Sequence, residues 1–459
     1  VYDDGAPATV IDLSQSETSS DSFTLSWRKS ANATGYTVYR LNEKTKQYER
    51  IKTLKGTSLK IKNLSPGSVG TYAVRARKKV NDTLIWADFS KPITAATVPQ
   101  APVNLAQSET SAGGYKLTWS KVNNATGYAV YKYNAESKKF VKLASVSGNS
   151  YTVSALHSAQ RDKYKVRAVI AASTATVSGG YSAEFTAVCA PGKVSVVITS
   201  SIKTSGYVLS WPKVKNADGY TVFKFDAKSG KFVKLAATAK TSYTVSSLAA
   251  GTENIYAVRA YVVQGGKTYF GALSDETVAS TLPPQVKRIS QKKTSVSGYT
   301  LSWERVKGAD GYVVYRYDST KKRYVWLKST SANSMEISGL KAGQSAKYKV
   351  CAFIKLSNEL HFAEYSPVFE AVTTPPAVKN VKAKRSGSYC TLTWSKAKNA
   401  NGYRVFKLNK KTGKYVRLKT VENNRTKIKA AKGTVFVVRA YTTRANTYYG
   451  AFSSPVTVK

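Results

Sequence analysis

The sequence predicts an all-β chain of five tandem β-sandwiches. Three observations support this fold class: a repeat of about 92 residues, period-two alternation inside each repeat, and no sustained helical periodicity. The repeat is clearest in its tryptophans, which recur every 91 or 92 residues at Trp27, Trp119, Trp211, Trp303 and Trp394.

Two further markers recur in step with the tryptophans. A Gly-Tyr pair follows each one, at Gly35-Tyr36, Gly127-Tyr128, Gly219-Tyr220, Gly311-Tyr312 and Gly402-Tyr403. Later in each repeat comes a Tyr-x-Val-Arg-Ala segment that starts at Tyr72, Tyr164, Tyr256, Tyr348 or Phe436, with Cys351 replacing the arginine in the fourth copy. Markers in register predict one structural unit per repeat.

Alternation around each tryptophan predicts a strand with one buried face. Phe23, Leu25 and Trp27 share one face, and Thr24 and Ser26 share the other. Many short strands of this kind, separated by polar turns, indicate sandwiches. Tyr36, like Tyr72, is expected to point inward.

Prolines mark the predicted joints, because proline cannot donate to a strand ladder. They place five domains at residues 1–98, 99–190, 191–282, 283–374 and 375–459, here called repeats 1 to 5. Because the joints are short, we expect a semi-rigid, monomeric rod of roughly 150 Å.

These markers resemble fibronectin type III domains, a family of immunoglobulin-like sandwiches. The resemblance covers all five repeats and includes Leu-x-x-Gly elements that end at Gly67, Gly251 and Gly343. Repeat 2 has Ala159 at this position, and repeat 5 is expected to lack the element. The resemblance implies tyrosine-corner hydrogen bonds from the strand tyrosines Tyr72, Tyr164, Tyr256 and Tyr348, a bond that is unavailable to Phe436.

Segments such as Lys139-Phe-Val-Lys-Leu143 look like repeats of large secreted proteins of Gram-positive bacteria. That resemblance implies a secreted or cell-surface location, although no signal peptide is visible at the start of the sequence. In that family such arrays space catalytic or adhesive domains, or contact polysaccharide and host surfaces. No apolar run reaches the length of about 18 residues that would predict a membrane span.

No constellation of residues predicts catalysis, a cofactor or a metal. The two histidines, His157 and His361, fall in presumed loops of different repeats, far from any cysteine. The three cysteines lie in different repeats: Cys390 is expected to be buried, and the exposure of Cys189 is open. Cys351 occupies an outward position, where a chance substitution is the favoured explanation and a surface thiol able to pair between chains is the alternative. Asn-Ala-Thr at Asn32 and Asn124 fits a glycan acceptor, a short pattern that is common by chance.

One predicted surface pairs aromatic rings with arginines on adjacent strands. The paired positions are Tyr39 with Arg75, Tyr131 with Arg167, Phe223 with Arg259, and Phe406 with Arg439. The pairs could be structural cation–π contacts, or a repeated platform for sugars and acidic groups. Four further aromatic sites, at Trp86, Phe270, Phe362 and Tyr448-Tyr449, are expected in the loop before the last strand, either packed on the sandwich end or free to bind.

Charge predicts a second surface. The chain carries a net +45, and residues 375–459 hold twenty Lys and Arg residues against one Glu, a net +19. The residues chosen for polyanion binding are Lys410, Lys411, Lys414, Arg417 and Lys419. A solvated, solubilising surface is the alternative.

The function predicted from these patterns is a non-catalytic extracellular spacer and adhesion module. Its expected partners are anionic polysaccharide, wall polymer or a host glycoprotein. An accessory region of a larger secreted enzyme is an alternative, and nucleic-acid binding is permitted by charge but supported by no motif.

Overall fold

The computed structural model describes residues 5–356 and 358–459. In these ranges the regular elements are forty β-strands, arranged as ten antiparallel sheets. Each sandwich consists of one three-stranded and one five-stranded sheet, and the two sheets enclose a separate apolar core. The predicted all-β class with five tandem sandwiches is therefore confirmed.

The smaller sheets place the tryptophan-bearing segment in the centre. Their strands are, in order, β1 (Ser14–Ser16), β2 (Phe23–Ser26) and β5 (Ser58–Ile61); β9 (Ala106–Ser111), β10 (Gly114–Thr118) and β13 (Ser150–Val153); β17 (Ile198–Lys203), β18 (Gly206–Ser210) and β21 (Ser242–Val245); β25 (Ser290–Lys292), β26 (Tyr299–Ser302) and β29 (Ser334–Ile337); β33 (Lys382–Ser386), β34 (Tyr389–Thr393) and β37 (Arg425–Lys429).

The larger sheets contain the Gly-Tyr strand and the Tyr-x-Val-Arg-Ala strand side by side. Their strands are β3 (Gly35–Leu41), β4 (Tyr48–Leu54), β6 (Val69–Val80), β7 (Thr83–Trp86) and β8 (Ile93–Ala96); β11 (Gly127–Asn134), β12 (Lys139–Val146), β14 (Arg161–Ala171), β15 (Thr176–Tyr181) and β16 (Phe185–Val188); β19 (Gly219–Asp226), β20 (Lys231–Thr238), β22 (Glu253–Gln264), β23 (Lys267–Phe270) and β24 (Thr277–Ser280); β27 (Gly311–Asp318), β28 (Arg323–Thr330), β30 (Ser345–Leu356), β31 (Glu359–Phe362) and β32 (Phe369–Val372); β35 (Gly402–Asn409), β36 (Lys414–Val421), β38 (Val435–Thr443), β39 (Thr447–Tyr449) and β40 (Val456–Thr457).

We call the units β1–β8, β9–β16, β17–β24, β25–β32 and β33–β40 sandwiches 1 to 5. The domain boundaries of the sequence analysis stay predictions. The inward positions are buried as the alternation predicts: Phe23 and Leu25 are fully buried, and Trp27 is 5% exposed. The larger sheet contributes buried residues such as Tyr36 and Val38 to the same core, so both sheets close it.

The tyrosine of each Gly-Tyr pair has two roles. Its ring packs edge-on against the tryptophan of the same sandwich at 5.3–5.5 Å between centroids. Its hydroxyl accepts a backbone N–H from six residues earlier, as Tyr36 does from Ser30 at 2.8 Å and Tyr312 from Val306 at 2.8 Å. Since that N–H lies in the loop between the two sheets, the tyrosine stabilises the crossing between them.

The tyrosine-corner bond expected of the strand tyrosines is not the bond that forms. In sandwiches 2, 3 and 4 these hydroxyls bond to a second tyrosine hydroxyl from the opposite sheet, at 2.9–3.0 Å: Tyr115 with Tyr164, Tyr207 with Tyr256, and Tyr299 with Tyr348. Both rings are buried. In each pair one hydroxyl donates and the other accepts, so the strand tyrosine bonds a side chain of the opposite sheet and not a backbone carbonyl.

The joints between sandwiches contain close backbone contacts. Gly67, Gly251 and Gly343 all adopt positive φ, and a Cβ there would meet backbone atoms of the following sandwich, at 3.1 Å from the Asn123 oxygen in the first case. At the same joint Ser173 donates its N–H to Thr94 O at 3.0 Å and accepts the Thr94 N–H at 2.8 Å. These sandwiches therefore touch directly, and all the joint contacts named here connect neighbours along the chain.

The expectation that repeat 5 lacks the Leu-x-x-Gly element is wrong. Gly433 has φ +77° and donates its N–H to Val458 O at 2.9 Å, the bond that Gly67 makes to Val98 O in sandwich 1. Only the leucine is replaced: Ala430 takes its place and makes the equivalent backbone bond to Ser388 O. The element was hidden because the segment up to Phe436 is shorter than its counterparts.

Candidate anion-binding surface of the fifth sandwich

The turn between β35 and β36 presents exposed lysines on a defined backbone. The Asn409 side chain accepts the N–H groups of Lys411 and Thr412 at 3.0 and 3.4 Å, and Gly413 closes the turn with φ +68°. An asparagine that caps its own turn holds the following residues outward. Lys410 and Lys411 accordingly project into solvent.

A cleft of about 500 Å³ lies beside this turn. Its cationic side chains are Lys407, Lys410, Lys411 and Lys432, all exposed. Its apolar wall includes Val416 and Leu418, which are 50% and 44% exposed. Cations above an apolar floor can receive a ligand that has both an anionic group and an apolar face.

The same place in sandwich 2 is neutralised by a carboxylate, whereas Gly70, Asn254 and Ala346 stand there in sandwiches 1, 3 and 4. In sandwich 2, Lys132, which aligns with Lys407, pairs with Asp162 at 3.0 Å, with side chains 30% and 12% exposed. In sandwich 5, Thr434 stands at the position of the aspartate and lines the cleft. Among the described residues, Arg444 is the one cation of residues 375–459 in an ion pair, with Glu370 of sandwich 4 at 2.9 Å. The lysines of the cleft therefore keep their charge uncompensated.

The five residues predicted to bind a polyanion are all exposed, but they do not converge on one place. Lys410 and Lys411 line the cleft. Lys419 lines a second hollow together with Arg425, Lys427 and the carboxylate of Glu422. Lys414 begins β36. Arg417 pairs in register with Phe406, which places both on the outer face of the sheet. The basic surface therefore wraps around the edge strand β36.

The predicted aromatic–arginine pairs form in two sandwiches. Arg259 lies over the Phe223 ring at 5.0 Å, and Arg439 lies over the Phe406 ring at 5.0 Å. Arg259 also lies 3.9 Å from the centroid of Phe270. In these two sandwiches the contact is a structural cation–π pair of the kind expected across neighbouring strands.

In sandwiches 1 and 2 the predicted pairing is wrong. Arg75 lies over Phe89 and Trp86, at 4.9 and 5.4 Å, and not over Tyr39. Arg167 lies over Tyr181 at 4.8 Å and not over Tyr131. Each strand aromatic instead packs edge-on against the ring that the arginine has taken, Tyr39 on Phe89 and Tyr131 on Tyr181, both at 5.1 Å. In both sandwiches a third ring, Phe89 or Tyr181, lies between the strand aromatic and the guanidinium.

These third rings were missed, although the sequence contains a signal for them. An aromatic-Ser dipeptide recurs at Phe89-Ser90, Tyr181-Ser182, Tyr365-Ser366 and Phe452-Ser453. Each serine is buried and accepts a strand N–H at 2.9–3.0 Å, as Ser90 does from Val74. The aromatics expected in the loop before the last strand lie on strands instead, with Trp86 on β7, Phe270 on β23, Phe362 on β31 and Tyr448-Tyr449 on β39.

The cysteine and histidine expectations need two corrections. Cys351 is 1% exposed, and its Sγ donates to Ala363 O at 2.8 Å, the type of bond that the Arg75 Nε makes to Ala87 O. It is therefore not a surface thiol, and burial raises its pKa to about 11. Cys390 and Cys189 are also buried. His157 is an exposed loop residue, whereas His361 lies on β31 and is half-buried.

His361 lines a hollow of about 910 Å³ between sandwiches 3 and 4, with carboxylates from both sides, Glu253, Asp275, Glu276 and Glu359. Within residues 5–356 and 358–459, no three His, Cys, Asp or Glu side chains are placed so that they could hold a metal ion. Across the same residues no helix is long and apolar enough to cross a membrane.

Curated proteins resemble the chain over most of its length. The receptor-type tyrosine-protein phosphatase eta of Gallus gallus is 22% identical over 96% of the chain and 30% of its own length. The fibronectin type III domain-containing protein 7 of Mus musculus is 24% identical over 68% of the chain and 40% of its own length. Over most of its length the chain is therefore similar to proteins that contain tandem fibronectin type III domains.

The array is also similar to Exoglucanase B of Cellulomonas fimi, at 25% identity over 67% of the chain and 28% of that protein. The chain thus spans 28–40% of the length of these relatives. A crystal structure of the chicken CNTN1 FN1-FN3 domains covers 60% of the chain and 99% of its own, at 18% identity and a TM-score of 0.25. No protein-family model matches the sequence.

Proposed function

We propose that the chain is a non-catalytic extracellular spacer and adhesion module whose fifth sandwich binds an anionic polysaccharide, wall polymer or glycoprotein at a cell surface. The observation that carries the proposal is the uncompensated charge of sandwich 5. Its lysines surround a cleft from which the neutralising carboxylate of sandwich 2 is missing. Exposed cations attract polyanions, and binding releases the counterions that are condensed on the polyanion.

The array supports the spacer part of the proposal. Its sandwiches each have a separate core and touch through short joints. Such a chain holds its fifth sandwich at a distance from whatever precedes the first. A secreted or cell-surface location, of the kind found in Gram-positive bacteria, is part of the proposal, in accord with the resemblance of the repeats.

A second candidate is an accessory region of a larger secreted enzyme. It is favoured by the similarity to Exoglucanase B, of which the chain matches 28%, and to a receptor phosphatase, of which it matches 30%. In that case a catalytic domain would belong to the same polypeptide. Sequencing of the complete reading frame tests this candidate directly.

The experiment is a binding titration of the whole chain with dextran sulfate, hyaluronan and double-stranded DNA at 50 and 200 mM NaCl. We expect binding to the two polysaccharides that weakens on the order of 100-fold between these salt concentrations, the change expected for about four neutralised charges. Affinity that does not change with salt contradicts the proposal. Strong preference for DNA would make the chain a nucleic-acid binder instead.

The decisive variants reverse matched sets of charges. One set is K410E, K411E, K414E and K419E in sandwich 5. The control set reverses four exposed cations around the corresponding turn and edge strand of sandwich 4: Lys321, Lys322, Arg323 and Lys328. We expect the first set to abolish measurable binding and the control set to lower affinity by about threefold or less, because distant charges are screened. Equal losses would show that no particular sandwich binds the polymer.

A further inference from the structure

Sandwich 5 has two arginines directly opposite each other on adjacent strands. The register pairs Arg404 of β35 with Arg439 of β38. The other sandwiches have no second arginine at this place, where the pairs are Thr37 with Arg75, Ala129 with Arg167, Thr221 with Arg259 and Val313 with Cys351. Like charges directly opposite in a ladder are destabilising, so the pair calls for a compensating group.

That compensation is missing from the described part of the protein. No carboxylate of the described residues lies within ion-pair distance of either guanidinium. The Nε atoms of both are shielded from solvent without an acceptor. In sandwiches 1 and 2 the corresponding Nε atoms of Arg75 and Arg167 donate to backbone carbonyls at 2.8 Å, whereas the Arg259 Nε of sandwich 3 also lacks an acceptor.

Aromatic rings fix the position of both arginines. The guanidinium carbons of Arg404 and Arg439 each lie 4.3 Å from the centroid of Tyr449. Arg439 also lies 5.0 Å from the Phe452 centroid. Burial lowers the pKa of Arg439, and the charge of Arg404 lowers it further, while Tyr449 acts in the opposite direction. The two cations are therefore held together in a partly desolvated setting, where an anion would gain more than it does in water.

We infer that Arg404 and Arg439 form a site for an oxyanion group, a sulfate ester or a carboxylate, carried by an acidic glycan. The terminal N–H groups of the two guanidinium forks can donate to its oxygens, and its charge would cancel their repulsion. Arg417 stands on the same face through its pairing with Phe406 and extends the positive surface along the polymer. This site rests on the proposed function and deepens it, because it specifies the group that the fifth sandwich would recognise on the outer face of its larger sheet.

The test compares the whole chain with its R404T variant, since threonine occupies this position in sandwiches 1 and 3. The stability of sandwich 5 is followed by hydrogen exchange of its peptides, because five sandwiches need not unfold as one unit. The exchange is measured in sodium sulfate and in sodium chloride of equal ionic strength, and dextran sulfate and hyaluronan are titrated as polymers. Without sulfate, the sandwich 5 peptides of R404T should exchange no faster than those of the wild type, because the repulsion is gone. Sulfate should stabilise the wild type more than R404T.

For the polymers we expect R404T to lose about tenfold in affinity, the loss of one charge-assisted contact, with a salt slope lower by about one. The dextran sulfate and hyaluronan arms identify the group as sulfate ester or carboxylate. An equal response of R404T and the wild type to sulfate and to both polymers overturns the site. If the four-lysine variant then abolishes binding, the proposed function stands without it. If R404T weakens binding and the four-lysine variant does not, the arginine pair is the binding site and the cleft is not.

Discussion

The side-chain amide of Asn124 in sandwich 2 donates a 2.8 Å hydrogen bond to the backbone oxygen of Gly67 in sandwich 1. The bond engages the nitrogen that a glycan would occupy, so the Asn-Ala-Thr pattern at this residue is better explained as part of a joint. A glycine with positive φ contacts the backbone of the next sandwich at three joints. Substitution of one such glycine therefore tests whether the contact holds the joint together.

Substitution of Gly251 by alanine should loosen the joint between sandwiches 3 and 4. A Cβ at this residue would clash with the Lys307 carbonyl, in addition to the cost of about 1–2 kcal/mol for φ +66° in a non-glycine residue. Hydrogen exchange near Gly308 should accelerate. The matched control is Gly433→Ala, which has φ +77° and no backbone of a following sandwich nearby. Similar exchange at the joint in both variants would contradict the clash.

Replacement of Tyr312 by phenylalanine should destabilise sandwich 4 by about 1–3 kcal/mol, because the buried N–H of Val306 loses its acceptor. Hydrogen exchange of peptides from this sandwich measures the change, since five sandwiches need not unfold as one unit. Tyr317→Phe is the control. Tyr317 is 38% exposed, and its replacement should change stability by less than about 0.5 kcal/mol.

Stability should fall as the pH rises through the alkaline range. The pKa of Cys351 is raised by burial from 9.0 to about 11 in the folded chain. A thiol with a raised folded pKa contributes its full stabilisation below pH 9, and the contribution is lost as the pH rises to 11. Denaturant titrations at pH 8, 9.5 and 11 should show a shallower decline for Cys351→Ser, whose hydroxyl can keep the bond to Ala363. Parallel declines would contradict this assignment.

Substitution of Asp162 by threonine should make sandwich 2 resemble sandwich 5. Asp162 accepts bonds from Gln160 at 2.9 Å and from Lys132 at 3.0 Å, so its loss should destabilise the sandwich by about 1–3 kcal/mol. The freed Lys132 should raise the affinity of the chain for dextran sulfate by about twofold. Asp88→Asn, which removes a charge elsewhere, is the control for net charge alone. Unchanged affinity in D162T would show that the missing carboxylate does not make the cleft attractive.

The fold could be predicted from the sequence because its determinants are local and repeated five times. The tryptophan, the Gly-Tyr pair and the alternating strands each specify buried positions. Because these markers recur in register, they can be distinguished from matches that arise by chance. The candidate site could be predicted only in part. Net charge identified sandwich 5, but the direct pairing of Arg404 with Arg439 depends on strand register, which the composition of a basic stretch does not contain.

In sandwiches 1 and 2 arginine stacking was predicted with the wrong ring because a third aromatic ring lies within reach of the guanidinium. Tyr39 and Arg75 were correctly assigned to neighbouring strands, yet the guanidinium rests on Phe89, which comes from a segment close in space and separate in pattern. An aromatic residue that recurs outside the alternating strand pattern can change which ring the arginine contacts. The Gly433 element escaped notice because a shortened segment shifts the spacing without removing the turn.

The contacts at the joints make the order of the sandwiches specific. Ser173 exchanges two bonds with Thr94, and Arg444 pairs with Glu370, so successive neighbours are matched to each other by different chemistry. If sandwich 5 were transplanted behind sandwich 3, Arg444 would face Val278, which aligns with Glu370 and is 48% exposed, and the ion pair would be lost. A permuted chain would therefore retain all five cores but lack this contact between its third and its last sandwich.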